Sequence, residues 1–180
     1  MRVIAGLAKG RRLVSPATPD TRPLTDRAKE GVFSSLGERV EGARVLDLYA
    51  GSGALGIEAL SRGAATCVLV ERGGEALEAL HRNVESVDLG GKVAAESVEA
   101  YLANASGAFD LAFVDPPWAT DEQGLAAVLE GLARVMAPGG SVVVHRKAGA
   151  PAPRPPESLR LEDQRRYGDA GIYRYVMEPR

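Results

Sequence analysis

Residues 49–56 read Tyr49-Ala50-Gly51-Ser52-Gly53-Ala54-Leu55-Gly56, a G-x-G-x-x-G spacing between the apolar run 44–48 and a helical segment at 53–62. Without side chains at Gly51, Gly53 and Gly56 the backbone can turn sharply, and a ligand can approach its N–H groups. Such a turn suits a strand that passes straight into a helix. The rest of the chain keeps the same rhythm. Val- and Leu-rich runs at 65–71, 92–95, 109–114 and 141–145 predict strands. Segments 75–86, 98–104 and 122–136 predict helices between them, with Pro138-Gly139-Gly140 turning into the last of these strands. Strands alternating with helices imply right-handed crossovers and a mostly parallel sheet covered on both faces. Two final extended runs around Gly168-Asp169-Ala170-Gly171 predict an antiparallel hairpin.

Before this unit lie two short extended runs, 2–6 and 11–14, that predict a small hairpin, then a Pro-rich loop. Thr25 or Asp26 caps a helix from about 26 to 40, with Ala28, Val32, Phe33, Leu36 and Val40 as its apolar stripe. The expected organisation is an N-terminal extension over 1–25 and a main domain over 26–180. One hundred and eighty residues, 45% of them apolar, suit a single core. A single cysteine, Cys67, leaves no internal disulfide framework, which fits a cytoplasmic protein. No apolar run approaches the roughly 20 residues that span a bilayer, so no membrane partner is expected. No pattern sets the oligomeric state, and a monomer is the expectation.

Charge is unevenly placed. Residues 1–40 carry a net +4, residues 146–180 a net +3, and the stretch between them a net −9. A basic head and tail on an acidic body suit contact with a polyanion.

Glu71 stands twenty residues after Gly51, at the end of the second predicted strand, where a carboxylate accepts hydrogen bonds from ribose hydroxyls. Asp47 precedes the glycine turn by four residues. A carboxylate there would repel a dinucleotide pyrophosphate and attract a cation. S-adenosylmethionine offers an ammonium and a sulfonium, so charge favours it over NAD. Tyr49, Ala50, Gly51, Ser52, Gly53 and Gly56 complete the expected cofactor site.

Asp115-Pro116-Pro117-Trp118 follows the strand 109–114, at the edge where ligands bind in such sheets. An exocyclic base amine is a poor nucleophile, and a site that methylates it must accept hydrogen bonds from both its hydrogens. The Asp115 carboxylate and the Pro116 carbonyl are two such acceptors. Pro117 stiffens the turn, and Trp118 offers a stacking face to a base that has left its helix. Asp115 also counts among the cofactor contacts.

The run Asp47-x-Tyr49-Ala50-Gly51-Ser52-Gly53-Ala54-Leu55-Gly56-x-Glu58-Ala59-Leu60-Ser61-Arg62, with Asp115-Pro116-Pro117-Trp118, resembles the RsmD family of bacterial 16S ribosomal RNA guanine-N2 methyltransferases. Met1-Arg2-Val3-Ile4-Ala5-Gly6 and Arg22-Pro23-Leu24-Thr25-Asp26-Arg27 resemble that family's N-terminal signature. The resemblance implies an α/β class I S-adenosylmethionine-dependent methyltransferase (Rossmann-like) sheet of seven strands with a C-terminal antiparallel hairpin. It also implies S-adenosylhomocysteine as product and 16S ribosomal RNA, free or within a small-subunit assembly particle, as partner. Arg11, Arg12, Arg22, Thr25, Arg27 and Lys29 are the residues it suggests for holding RNA. Where many class I methyltransferases place Asp or Asn to receive the adenine amino group, this chain reads Glu96-Ser97-Val98, and Ser97 aligns best. Other amine acceptors (adenine N6, cytosine N4, a protein glutamine), an NAD-dependent oxidoreductase and a non-catalytic RNA-binding module are the alternatives. Cys67 reads as a core residue, His81 as helix surface, and His145 as a strand end; neither histidine has metal-ligand spacing, so no metal is expected.

Overall fold

The structure, a computed structural model, describes residues 1–16 and 24–179. Continuous apolar runs without polar alternation make strands that must be buried on both faces. The central strands β1 (Arg44–Leu48), β2 (Thr66–Val70) and β4 (Phe109–Val114) are of this kind, with Leu46, Leu48, Leu69, Val70 and Leu111 to Val114 fully buried. With β3 (Lys92–Ala94), β5 (Met136–Lys147), β6 (Leu159–Tyr167) and β7 (Ala170–Met177), the described residues form one seven-stranded sheet of order β3-β2-β1-β4-β5-β7-β6. Strands β1 to β5 pair in parallel, and β7 pairs antiparallel with both β5 and β6. The doubly wound sheet with its terminal antiparallel hairpin is therefore present as expected.

Alternation along each strand sorts side chains to two layers. Val45, Cys67, Phe113 and Val143 pack with Phe33 and Leu36 of α1 (Asp26–Leu36), Ile57 of α2 (Ala54–Ser61) and Leu80 of α3 (Gly74–Val87). Leu46, Ala112, Val142 and Val144 pack with Leu102 of α4 (Val98–Asn104) and Leu129 and Leu132 of α5 (Glu122–Val135). Thr25 caps α1 through its hydroxyl, as the sequence suggested. The helix stops earlier than expected, at Leu36, because Gly37 takes φ 55° and a short 3-10 turn carries the chain to Arg39. A second difference lies at Pro138-Gly139-Gly140, which is no free turn. It sits inside β5, and the register against β4 shifts there, between Phe109 and Leu111. Gly139 has φ 76°, and a Cβ on Gly140 would lie 2.9 Å from the Ala137 carbonyl oxygen. Glycines are what let this bulge close.

The first residues do not stand apart from the main domain. Arg2 and Arg12 form a single antiparallel bridge, and Val3, Ala8 and Leu13 are buried in the α1–α2–α3 layer. The anchor is Glu58 on α2, whose side chain is fully buried. It accepts from the Ile4 and Ala5 N–H groups at 2.8 and 3.0 Å and pairs with Lys29 at 3.1 Å and Arg62 at 2.8 Å. Lys29 also donates to the Arg2 carbonyl at 2.6 Å, and its side chain is 1% exposed. Lys29 is thus a structural cation and not an RNA contact, which corrects the sequence expectation. Arg22, another of the suggested RNA contacts, lies outside the described residues. Further along, Asn83 of α3 donates to Val14 and Ser52 carbonyls and accepts from the Val14 N–H, tying the arm to the glycine turn.

Removing one partner from a buried ion pair leaves the other charge uncompensated. Glu58→Gln is therefore expected to destabilise the fold by about 3–5 kcal/mol. Chemical denaturation of the two proteins measures this, and an unchanged midpoint would contradict the anchor role.

Candidate active site

The carboxyl ends of β2, β1 and β4 open on one cavity of about 500 Å³. Asp47, Glu71 and Asp115 all line it, one from each strand end, together with Tyr49, Ala50, Gly51 and Ser52 of the turn and Pro116, Pro117 and Trp118 of the following loop. These are residues the sequence singled out, and the sheet brings them together.

The turn is held by carboxylates. The Gly51 N–H donates to Glu71 Oε2 at 2.9 Å, and the Gly56 N–H donates to Asp47 Oδ2 at 2.8 Å. Gly51 itself has φ 56°, and a Cβ there would meet only the Tyr49 carbonyl oxygen, at 4.0 Å, so its surface is open to a ligand. The other two glycines do different work and do not line the cavity. A Cβ on Gly53 would meet Leu80 at 2.7 Å, and one on Gly56 would meet Cys67 and Leu69 at 2.8 Å. Both let α2 settle on the sheet. Tyr49 enters the turn with φ 59°, a strained conformation for a residue with a side chain, and its hydroxyl points to Glu99 at 3.4 Å. Burial and the Glu99 charge push the Tyr49 hydroxyl up to about 12, so it stays a neutral donor.

A dinucleotide would need these turn N–H groups for its pyrophosphate. Two of them are already bonded to acids, and five carboxylates, Asp47, Glu71, Glu96, Glu99 and Asp115, line the same space. The donor set suits ammonium and hydroxyl groups and opposes phosphate. Burial pushes the Asp47 carboxyl up to about 7, against the Gly56 N–H that lowers it, and the nearby charges of Asp115 and Glu71 raise it further.

At the far end the expected adenine contact needs correction. The Ser97 hydroxyl accepts from the Ala100 N–H at 3.1 Å as the cap of α4, and Ser97 is absent from the cavity wall. Its neighbours Glu96, Val98 and Glu99 line the wall instead. The Ser97 side chain is committed to the start of α4.

The Asp-Pro-Pro-Trp loop is placed by β4 and gripped by β5. Register pairs Val114 with Val144, so Asp115, the first residue past β4, lies beside His145, which stays in β5 opposite Ile172. His145 Nδ1 lies 2.7 Å from Asp115 Oδ1, with the histidine side chain 5% exposed and that of Asp115 30% exposed. The Thr120 N–H donates to the Pro117 carbonyl at 2.9 Å, and Arg146 donates to the Thr120 carbonyl at 3.0 Å. Trp118 is 40% exposed, and the Lys147 ammonium sits 5.4 Å from its ring centroid. The sequence offered His145 only as a strand end at this edge; its partnership with Asp115 depends on the β4–β5 register.

Arg11, Arg12 and Thr25 are exposed and do not line this cavity. Arg27, also exposed, lines a second cavity of about 590 Å³ on the other side of Trp118, with His145, Arg166 and Tyr167. Among the described residues no group of three or more His, Cys, Asp or Glu is placed to hold a metal ion, and no helix is long and apolar enough to cross a membrane.

This sheet, with an acid-lined cavity over its glycine turn, defines a class I methyltransferase. The chain belongs to the RsmD family: the family model described as "Conserved hypothetical protein 95" matches residues 1–176. YlbH of Bacillus subtilis is 40% identical over 139 residues, covering 72% of each chain. "Ribosomal RNA small subunit methyltransferase D" of Escherichia coli is 39% identical over 119 residues, which span 66% of this chain and 60% of that relative. Among solved structures, yhhF from Escherichia coli superposes with a TM-score of 0.89 at 30% identity, covering 100% of this chain and 99% of the other.

A carboxyl group raised in the folded state stabilises the fold below its ordinary value of 3.8, and that contribution is lost as pH rises through about 7. The stability of the wild type relative to Asp47→Asn is expected to fall between pH 5 and 7, by up to about 1.4 kcal/mol per unit. Denaturant titrations at a series of pH values measure this, and a flat difference would show that the Asp47 anion carries no burial penalty.

Proposed function

We propose that this protein transfers a methyl group from S-adenosylmethionine to the exocyclic N2 amine of a guanine in small-subunit ribosomal RNA. The observation that carries the reading is the position of Asp115 and Pro116 on the wall of the cavity that also holds Gly51, Asp47 and Glu71. An amine acceptor site and a donor site share one space there.

The residues fit the methyl donor by their chemistry. Glu71 keeps lone pairs for the two ribose hydroxyls while it fixes the turn, and the buried charge of Asp47 favours the methionine ammonium. Tyr49 and Val98 supply the apolar surface for the adenine, and Glu96 replaces Ser97 as the acceptor for its amino group. The donor supplies a methyl group on positively charged sulfur, which no side chain can provide.

What the chain does is orient the acceptor. A guanine amine donates one hydrogen to the Asp115 carboxylate and one to the Pro116 carbonyl, which turns the nitrogen toward the donor side of the cavity. Trp118 stacks on the base, an interaction worth about 1–3 kcal/mol. As the nitrogen gains its methyl group it becomes acidic, and its proton passes to Asp115 or to water. Because the acceptor amine need not lose a proton first, Asp115 works as an orienting anion during attack.

Arg27 and Arg166, which line the second cavity, and the exposed Arg11 and Arg12 are the cations that would meet RNA phosphates. The name of the Escherichia coli relative, which specifies the small-subunit ribosomal RNA, supports this substrate class. The RNA target within an assembling small-subunit particle is part of the same proposal.

Small-subunit ribosomal RNA lacking its native modifications, incubated with methyl-labelled donor and digested to nucleosides, is expected to yield labelled N2-methylguanosine. Label on adenine, cytosine or protein glutamine overturns the guanine assignment. Asp115→Ala is expected to lower turnover roughly 100-fold or more, with S-adenosylhomocysteine affinity within about threefold; turnover like the wild type's would remove Asp115 from the mechanism.

A further inference from the structure

Three successive residues at the end of β5 each hold a different part of the loop that follows β4. His145 meets the Asp115 carboxylate, Arg146 donates to the Thr120 carbonyl, and Lys147 lies over the Trp118 ring. His145 and Arg146 are buried, at 5% and 8% exposure, so these are built contacts and not surface encounters. Because strand neighbours point to opposite faces, His145 and Arg146 grip the loop from the two sides of the sheet.

We propose that His145 is the positioning residue of the reaction: through its Nδ1–H it fixes one oxygen of Asp115, leaving the other oxygen to receive the acceptor amine. This rests on the reading that Asp115 accepts the amine hydrogens.

Two physical demands support it. The first is geometric. A lone aspartate at a strand exit rotates among rotamers, whereas a bond of 2.7 Å to a buried ring selects one. An ionised carboxylate only accepts, so the hydrogen of this bond sits on Nδ1.

The second demand is access. Asp115 lines the donor cavity and His145 lines the second cavity, so the bond reaches the carboxylate from outside the space that would hold the donor. The other groups that share space with His145 are Arg27 of α1 and Arg166, Tyr167 and Asp169 of the β6–β7 hairpin, in the second cavity. Lys29 and Arg72 also border the donor cavity, but Lys29 is committed to Glu58. The histidine is the residue that reaches Asp115 directly from β5.

Two amide substitutions separate the donor from the bulk. His145→Asn sets its side-chain nitrogen near the place of Nδ1, whereas His145→Gln sets it near that of Nε2. The expected result is kcat within about threefold of wild type for His145→Asn and a loss of roughly tenfold or more for His145→Gln. Both should bind S-adenosylhomocysteine as the wild type does. Equal kcat values for the two variants overturn the proposal, whether both are active or both impaired. If Asp115→Ala proves fully active, the failure belongs to the Asp115 reading; if Asp115→Ala is inactive while His145→Gln matches the wild type, only the role of His145 fails.

Discussion

Three carboxylates, Asp47, Glu71 and Asp115, converge on one partly buried cavity because three neighbouring parallel strands end there. That crowding is the constraint from which the chemistry follows. Anions are repelled, and groups that carry positive charge or donate hydrogen bonds are drawn in. Each acid is restrained locally. Asp47 holds the Gly56 N–H, Glu71 holds the Gly51 N–H, and Asp115 holds His145. The cavity therefore has fixed acceptors in place before any ligand arrives. Preorganisation of this kind lowers the cost of orienting a weak nucleophile.

The acid-lined cavity depends on elements remote from it in sequence. Met1, Ser15 and Pro16 form part of its wall, and their arm is anchored on α2 through Glu58 and on α3 through Asn83. Asn83 also receives its place from the Ser52 carbonyl of the glycine turn. The N-terminal segment is thus a structural partner of this cavity, and its exposed Arg11 and Arg12 are carried outward on a fixed base. Burial of Glu58 among two backbone N–H groups, a lysine and an arginine makes that base specific in geometry.

Much of this arrangement was legible in the sequence because its signals are local. The glycine spacing, Glu71 at the next strand end and Asp-Pro-Pro-Trp after β4 each lie within a single strand–turn unit, and the parallel topology brings the units together. Lys29 was misread although its signal was available: it lies three, four and seven positions before Val32, Phe33 and Leu36, on the buried stripe of α1. Ser97 was misread because a serine three residues before a helical N–H is drawn to cap it. The pairing of His145 with Asp115 was not legible, since it depends on the register of β5 against β4. That register includes a bulge at Gly139-Gly140, where the sequence suggested a plain turn.

The central claim is that the Asp115 corner receives an amine beside the methyl donor. A crystal structure with S-adenosylhomocysteine and a guanine-containing oligonucleotide of the small-subunit RNA tests it most directly. The account predicts the guanine N2 within about 3.2 Å of both an Asp115 carboxylate oxygen and the Pro116 carbonyl oxygen, with the base against Trp118. A guanine bound in the donor cavity with its amine turned away from Asp115 would contradict it.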